Sequence, residues 1–136
     1  MIIVLDTNVI VSGILRPYSK AANILHLVAE GTIKLAYDVR LISEYRGVLS
    51  RPQLKLSTED VDAFLNQIEP EGVLVSATPL KFRLPDPDDE AFLEVALAAK
   101  AVALVTGNKR HFPKNEYEGV KIIPPAEFLE EFGSSI

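Results

Sequence analysis

Residues 1–13 read MIIVLDTNVIVSG. Ile2 to Leu5 form a continuous, β-branched-rich apolar run, the pattern of a strand covered on both faces. The run stops at Asp6-Thr7-Asn8, and apolar residues then resume. A buried strand that feeds directly into a helix is the opening of a βαβ unit. The pattern predicts a helix reaching toward Leu15, capped by Thr7 or Asn8 and broken at Arg16-Pro17.

The same alternation continues outward from this stretch. Residues 19–30 predict a helix with Ala22, Ile24, Leu25, Leu27 and Val28 on its apolar face, ended by Gly31. His26 falls within that apolar pattern and reads as structural. A short strand is expected at 33–37 and a helix at 39–50, stopped before Pro52. Ser57 or Thr58 opens a helix over 58–68, with Glu59 and Asp60 in its first turn. A strand at 73–76 precedes the loop LPDPDD, a helix from about 87 to 100 and a strand VALVT at 102–106. A last strand is expected at 120–123, then a helix after Pro124-Pro125. Strands alternating with helices imply a doubly wound α/β domain with a mainly parallel sheet and helices on both faces. Ligands of such sheets sit beyond the carboxyl ends of the strands, near the point where strand order reverses.

Composition sets the outer bounds. The chain has 136 residues, 48% of them hydrophobic and 24% charged, which suits one domain over residues 1–136. It has no cysteine, which removes disulfides, thiol chemistry and thiolate metal sites. No apolar run approaches the roughly 20 residues that cross a bilayer, and no basic flank precedes the first one, so a cytoplasmic location without membrane contact is expected. Long-range attraction to nucleic acid would need a positive patch, which the formal net charge of −5 neither supplies nor excludes.

Three acids stand where chemistry is expected. Asp6 closes the first strand. Glu44 lies on the border of the stripe formed by Leu41, Tyr45, Val48 and Leu49. Asp89 sits at the start of a helix whose stripe is Phe92, Leu93, Ala96 and Leu97, and at about 100° per residue it projects into the middle of that stripe. Each has a plainer role available: a helix cap for Asp6, a solvated partner of Arg40 for Glu44, a dipole partner for Asp89. A dipole partner has no need to aim at the core, where an unpaired charge is costly. Convergent carboxylates without a His or Cys cluster favour a hard cation, Mg²⁺ or Mn²⁺, over zinc. Such an ion activates water and stabilises a leaving oxygen in phosphodiester cleavage.

At these residues the sequence resembles the PIN-domain family, particularly its bacterial and archaeal branch of toxin–antitoxin toxins, the VapC-like ribonucleases. The resemblance rests on VLDTNVIVSGIL, SEYRGVLSRP and DPDDEAFLEVALAAKAVALVTGNKRHFP, in that order, and covers essentially the whole chain. It implies a three-layer α/β/α sandwich with a central, mainly parallel sheet, and metal-dependent cleavage of RNA. The family's first three acids fall on Asp6, Glu44 and Asp89, and the small polar residue after the first acid falls on Thr7. The fourth acid, in a Thr-x-Asp pattern after the fourth strand, is here Asn108. Thr7 and Asn8 would orient ligands or phosphate. Lys109, Arg110 and His111 could hold phosphate, with Arg16, Lys20, Arg46 and Arg51 as weaker candidates. A homodimer, an RNA substrate and a cognate antitoxin are further implied partners. NILHLV and FLEVALA are core stripes first, although family members often dimerise through such helices.

Three other readings compete. A haloacid-dehalogenase-type phosphatase needs a second Asp at position 8, which is Asn. A phosphoacceptor signalling domain needs an early acidic pair and a Lys at the end of the last strand, whereas Lys121 is read as preceding rather than ending it. The third is a PIN-like scaffold that binds RNA or protein without cutting.

Overall fold

A computed structural model describes residues 1–136. Six strands form one sheet in the order β3-β2-β1-β4-β6-β5. They are β1 (Ile2–Leu5), β2 (Lys34–Tyr37), β3 (Val73–Leu74), β4 (Ala103–Val105), β5 (Glu116–Tyr117) and β6 (Val120–Ile123). All neighbours run parallel except β5, which pairs antiparallel with β6. The chain steps from β1 outward to β2 and β3, then returns to the other side of β1 to lay down β4. Strand order therefore reverses between β1 and β4, and their carboxyl ends flank the crevice.

Six helices cover the sheet in a three-layer α/β/α arrangement: α1 (Thr7–Leu15), α2 (Lys20–Ala29), α3 (Val39–Leu49), α4 (Thr58–Glu71), α5 (Glu90–Ala99) and α6 (Pro125–Phe132). The side chains of Ile3, Val4 and Leu5 are fully buried, as the unbroken apolar run requires. They join one contiguous core that also takes in Leu35, Leu93, Leu104, Ile122 and Phe128. Burying each large aliphatic side chain contributes roughly 2 kcal/mol. Helix α5 packs across β1, β2 and β4, so FLEVALA has no free apolar face; Phe92, Leu93, Val95 and Ala96 are all buried.

Local chemistry sets most helix boundaries. Ser19, Asp38 and Ser57 each cap the helix that follows, accepting from the backbone N–H of Ala22, Leu41 and Asp60. Helix α1 differs from expectation: its cap position is Asp6, which makes no side-chain bond there, and neither Thr7 nor Asn8 caps it. Helix α4 runs through Pro70 to Glu71, three residues beyond the expected end at 68. Proline at that point costs only the final turn, and Gly72 stops the helix with its N–H on the carbonyl of Ile68. A Cβ at Gly72 would stand 2.6 Å from the Leu35 carbonyl oxygen, so the close approach of α4 to β2 needs glycine.

Other departures are smaller. The strand expected at 73–76 pairs only over Val73–Leu74, that at 102–106 only over Ala103–Val105, and β5 was not anticipated. Residues 87–89 form a 3₁₀ turn, and α5 proper begins at Glu90. His26 is exposed in the last turn of α2, where it complements the helix dipole rather than the core. Lys121 is the second residue of β6, engaged with Glu131.

Candidate metal centre

Asp6, Glu44 and Asp89 are 38 and 45 residues apart in sequence, yet they line one cavity of about 190 Å³ at the carboxyl edge of β1 and β4. Thr7, Asn8 and Asn108 line it too. Each acid rides on a different element, and one aromatic clamp fixes those elements together. Tyr45 of α3 donates its hydroxyl to the Leu5 carbonyl at 2.5 Å, one residue before Asp6. Its ring packs 6.2 Å from that of Phe92 in α5, and Phe92 floors the cavity. Burial, and then the carboxylates of Asp6, Glu44 and Asp38, push the Tyr45 hydroxyl well above its usual range, so it stays a donor.

The carboxylates are held from behind. Thr106 donates to Asp6 Oδ2 at 2.8 Å, and the Thr106 hydroxyl accepts from the backbone N–H of Asn108 at 3.0 Å. Thr7 donates its hydroxyl to Glu44 Oε2. Thr7 is thus an orienter of Glu44 rather than a cap, and Glu44 is not the partner of Arg40, which pairs with Asp38 and Glu94. The role of Thr106 went unread in the sequence, although the Thr-x-Asn spacing carries it: the hydroxyl faces back to β1 and sets the turn that presents Asn108.

Asp89 is the anomaly. It is 9% exposed, and its Oδ2 atom is buried without a hydrogen bond. Leaving a buried polar atom unsatisfied costs about 1–3 kcal/mol. Burial first, then the charges of Asp6 and Asp86, raise its carboxyl from 3.8 to about 6, while His111 opposes the shift. The two carboxylates of Asp6 and Asp89 thus press on each other across the cavity. A cation would relieve both the repulsion and the orphaned oxygen, so the donor set fits a hard divalent ion.

Other residues are placed less as expected. Lys109 and Arg110 do not line the cavity; Lys109 faces a separate depression with Glu116, Lys121 and Glu127. The basic groups of the acidic cavity are Arg51 and His111. Asp86 and His111 had no place in the expected ligand set. Their side chains approach Asp89 so closely that one donor atom from each of the three lies within 4.8 Å of the others. A 25-residue gap and a 3₁₀ turn hid that meeting from helical phasing.

Other proteins resemble this chain in sequence or in fold. "Uncharacterized protein MJ1680" of Methanocaldococcus jannaschii is 28% identical over 141 residues, covering 96% of this chain and 90% of that protein. The crystal structure of VapBC2 from Rickettsia felis bound to a DNA fragment from their promoter superposes with a TM-score of 0.55 and 18% identity. That match covers 90% of this chain and 97% of the other, and it is a likeness of fold. The sequence pattern of the PIN domain matches residues 2–110, which include every acid in the cavity, and the chain belongs to the PIN domain family.

Proposed function

We propose that the chain is a metal-dependent endoribonuclease, the toxin of a toxin–antitoxin pair, which hydrolyses RNA phosphodiester bonds with Mg²⁺ or Mn²⁺. The observation that carries this reading is the buried, unbonded Oδ2 of Asp89 in a cavity shared with Asp6 and Glu44. Membership of the PIN domain family supports it. Asp6, Glu44 and Asp89 hold the ion, which supplies an activated water and a counter-charge for the scissile phosphate. Thr106 and Thr7 fix the Asp6 and Glu44 carboxylates in place, and Asn108 offers a neutral amide where the family has a fourth acid. Asn8, exposed on the cavity, and Arg51 at its edge meet the phosphate, with Lys109 and Arg110 further along the RNA. A protein antitoxin as partner fits the VapBC2 likeness, and a homodimer and a cytoplasmic location fit the family. No helix is long and apolar enough to cross a membrane.

The test is cleavage of defined RNAs with Mg²⁺ or Mn²⁺, beside Asp6→Asn. Wild-type protein should cut only with metal, and Asp6→Asn should lose about 100-fold or more while staying folded. Equal cutting by the variant would remove Asp6 from the site. RNA binding without cutting under either metal would establish the scaffold reading, for which Asn108 in place of an acid is the supporting feature.

A further inference from the structure

Residues 80–84 read LKFRL, and only the ends of that stretch are buried. Leu80 is 6% exposed and Leu84 4%, whereas Phe82 between them keeps 42% of its surface open. Lys81 and Arg83, on either side of Phe82, are exposed too. The backbone beneath them is fixed, because the N–H groups of Leu80 and Leu84 donate to Glu94 and Glu90 of α5 at 3.0 and 2.9 Å. Tyr117 props the Phe82 ring, with centroids 5.6 Å apart and planes 13° from parallel, and Lys114 stands over the same Tyr117 ring at 5.8 Å. Phe82, unlike Tyr117, lines a cavity of about 690 Å³, and Lys81 and Lys100 line it as well. Neither lysine pairs with an acid, and Arg83 pairs with Glu90 while 71% of its side chain stays exposed. Of the two acids on the cavity wall, Glu94 is held by Arg40 and Glu118 has no cationic partner. A purely apolar anchor would be buried like Leu80 and Leu84. An open aromatic ring, rigidly backed and set between two cations, suits a nucleobase on its face and phosphates on its flanks.

We propose that Lys81, Phe82 and Arg83, together with Lys100, form a contact for single-stranded RNA away from the acidic cavity. One base stacks on Phe82, and the phosphates beside it meet Lys81, Arg83 and Lys100. The ligand class rests on the nuclease reading. The acidic cavity lies at the start of α5, where Asp89 and Phe92 line it, and this contact lies at the helix end, where Leu97 and Ala98 line the second cavity. Helix α5 has 10 residues, about 15 Å at a rise of about 1.5 Å each, so a strand of a few nucleotides reaches both. The contact holds a nucleotide outside the point of scission. It grips by stacking and charge rather than by base edges, so it tolerates many sequences.

Fluorescence anisotropy of a labelled single-stranded oligoribonucleotide with the full chain, in EDTA and over a series of salt concentrations, tests this. Phe82→Leu keeps an apolar contact with Tyr117 but loses the stacking face, and should weaken binding about tenfold, whereas Phe82→Tyr should stay within about twofold. Lys81→Ala combined with Lys100→Ala should flatten the slope of log affinity against log salt by about 1.4, at about 0.7 per phosphate. Unchanged affinity in Phe82→Leu would overturn the proposal. So would equal losses in Phe82→Leu and Phe82→Tyr, which would leave Phe82 a packing partner of Tyr117. Binding of AMP at Phe82 with the oligoribonucleotide ignored would also overturn it, in favour of a mononucleotide pocket. The two readings fail separately: RNA held through Phe82 but never cut with metal sinks the nuclease alone, and metal-dependent cleavage with binding indifferent to Phe82 sinks only this contact.

Discussion

Helix α5 and the turn leading into it carry three buried acids, and their surroundings could hardly differ more. Glu94 accepts the backbone N–H of Leu80 at 3.0 Å and pairs with Arg40 at 2.7 Å. Glu90 does the same one turn earlier, with the Leu84 N–H at 2.9 Å and Arg83 at 2.6 Å. Together they pin the 80–84 segment to the helix. Asp89, next to Glu90, is comparably buried and leaves one oxygen unbonded. The contrast separates structural acids from a ligand: burial alone does not mark a site, whereas burial with an unmet valence does.

The largest expected effect lies on the satisfied side. Glu94→Ala strands the buried Leu80 N–H and unpairs Arg40, and should lower stability by about 2–3 kcal/mol, the exposed half of Arg40 limiting the loss. Glu94→Gln keeps an acceptor and should cost about half as much. Urea denaturation measures both, and a neutral Glu94→Ala would put Glu94 in the same class as Asp89.

The opposite sign is expected at Asp89. Burial raises its carboxyl from 3.8 to about 6, so the folded, metal-free protein favours the protonated form more than the unfolded chain does. That stabilisation is complete below about pH 3.8 and is lost as pH rises through about 6. Asp89→Asn removes the charge and should stabilise the metal-free protein at pH 7.5 by on the order of 1 kcal/mol, since the cavity is open to water on one side. At pH 4 the gain should vanish. A loss at pH 7.5 would mean that Asp89, like Glu90, is held by partners.

The smallest effect is expected from Asn108→Asp. A fourth carboxylate should tighten Mn²⁺ several-fold, by about 1 kcal/mol or less, and lower metal-free stability through repulsion with Asp6. Calorimetry and melting would show both changes. Unaltered affinity would take Asn108 out of the ligand set.

How far the sequence carried these conclusions depends on range. The apolar run at Ile2–Leu5 and the helical phase of Asp89 are local, and both pointed correctly to a buried central strand and an inward acid. Thr7 misled because the cap rule is also local, while its hydroxyl is taken by Glu44, 37 residues away. Strand β5 has only Glu116 and Tyr117, too few residues for a period to register. The meeting of Asp86 and His111 depends on how two turns fold against each other, and neither turn has a regular phase to extrapolate.

The bond from Thr106 to Asp6 spans 100 residues, and this separation bears on synthesis. A ribosome extends a chain at about 5–20 residues per second, so roughly 5–20 s pass between the emergence of one partner and that of the other. Throughout that interval β1 lacks β4, its neighbour on one side, and Asp6 lacks its donor. Nor can Asp6 and Glu44 recruit Asp89 before α5 exists. The cavity is therefore assembled only after the fourth strand docks beside β1.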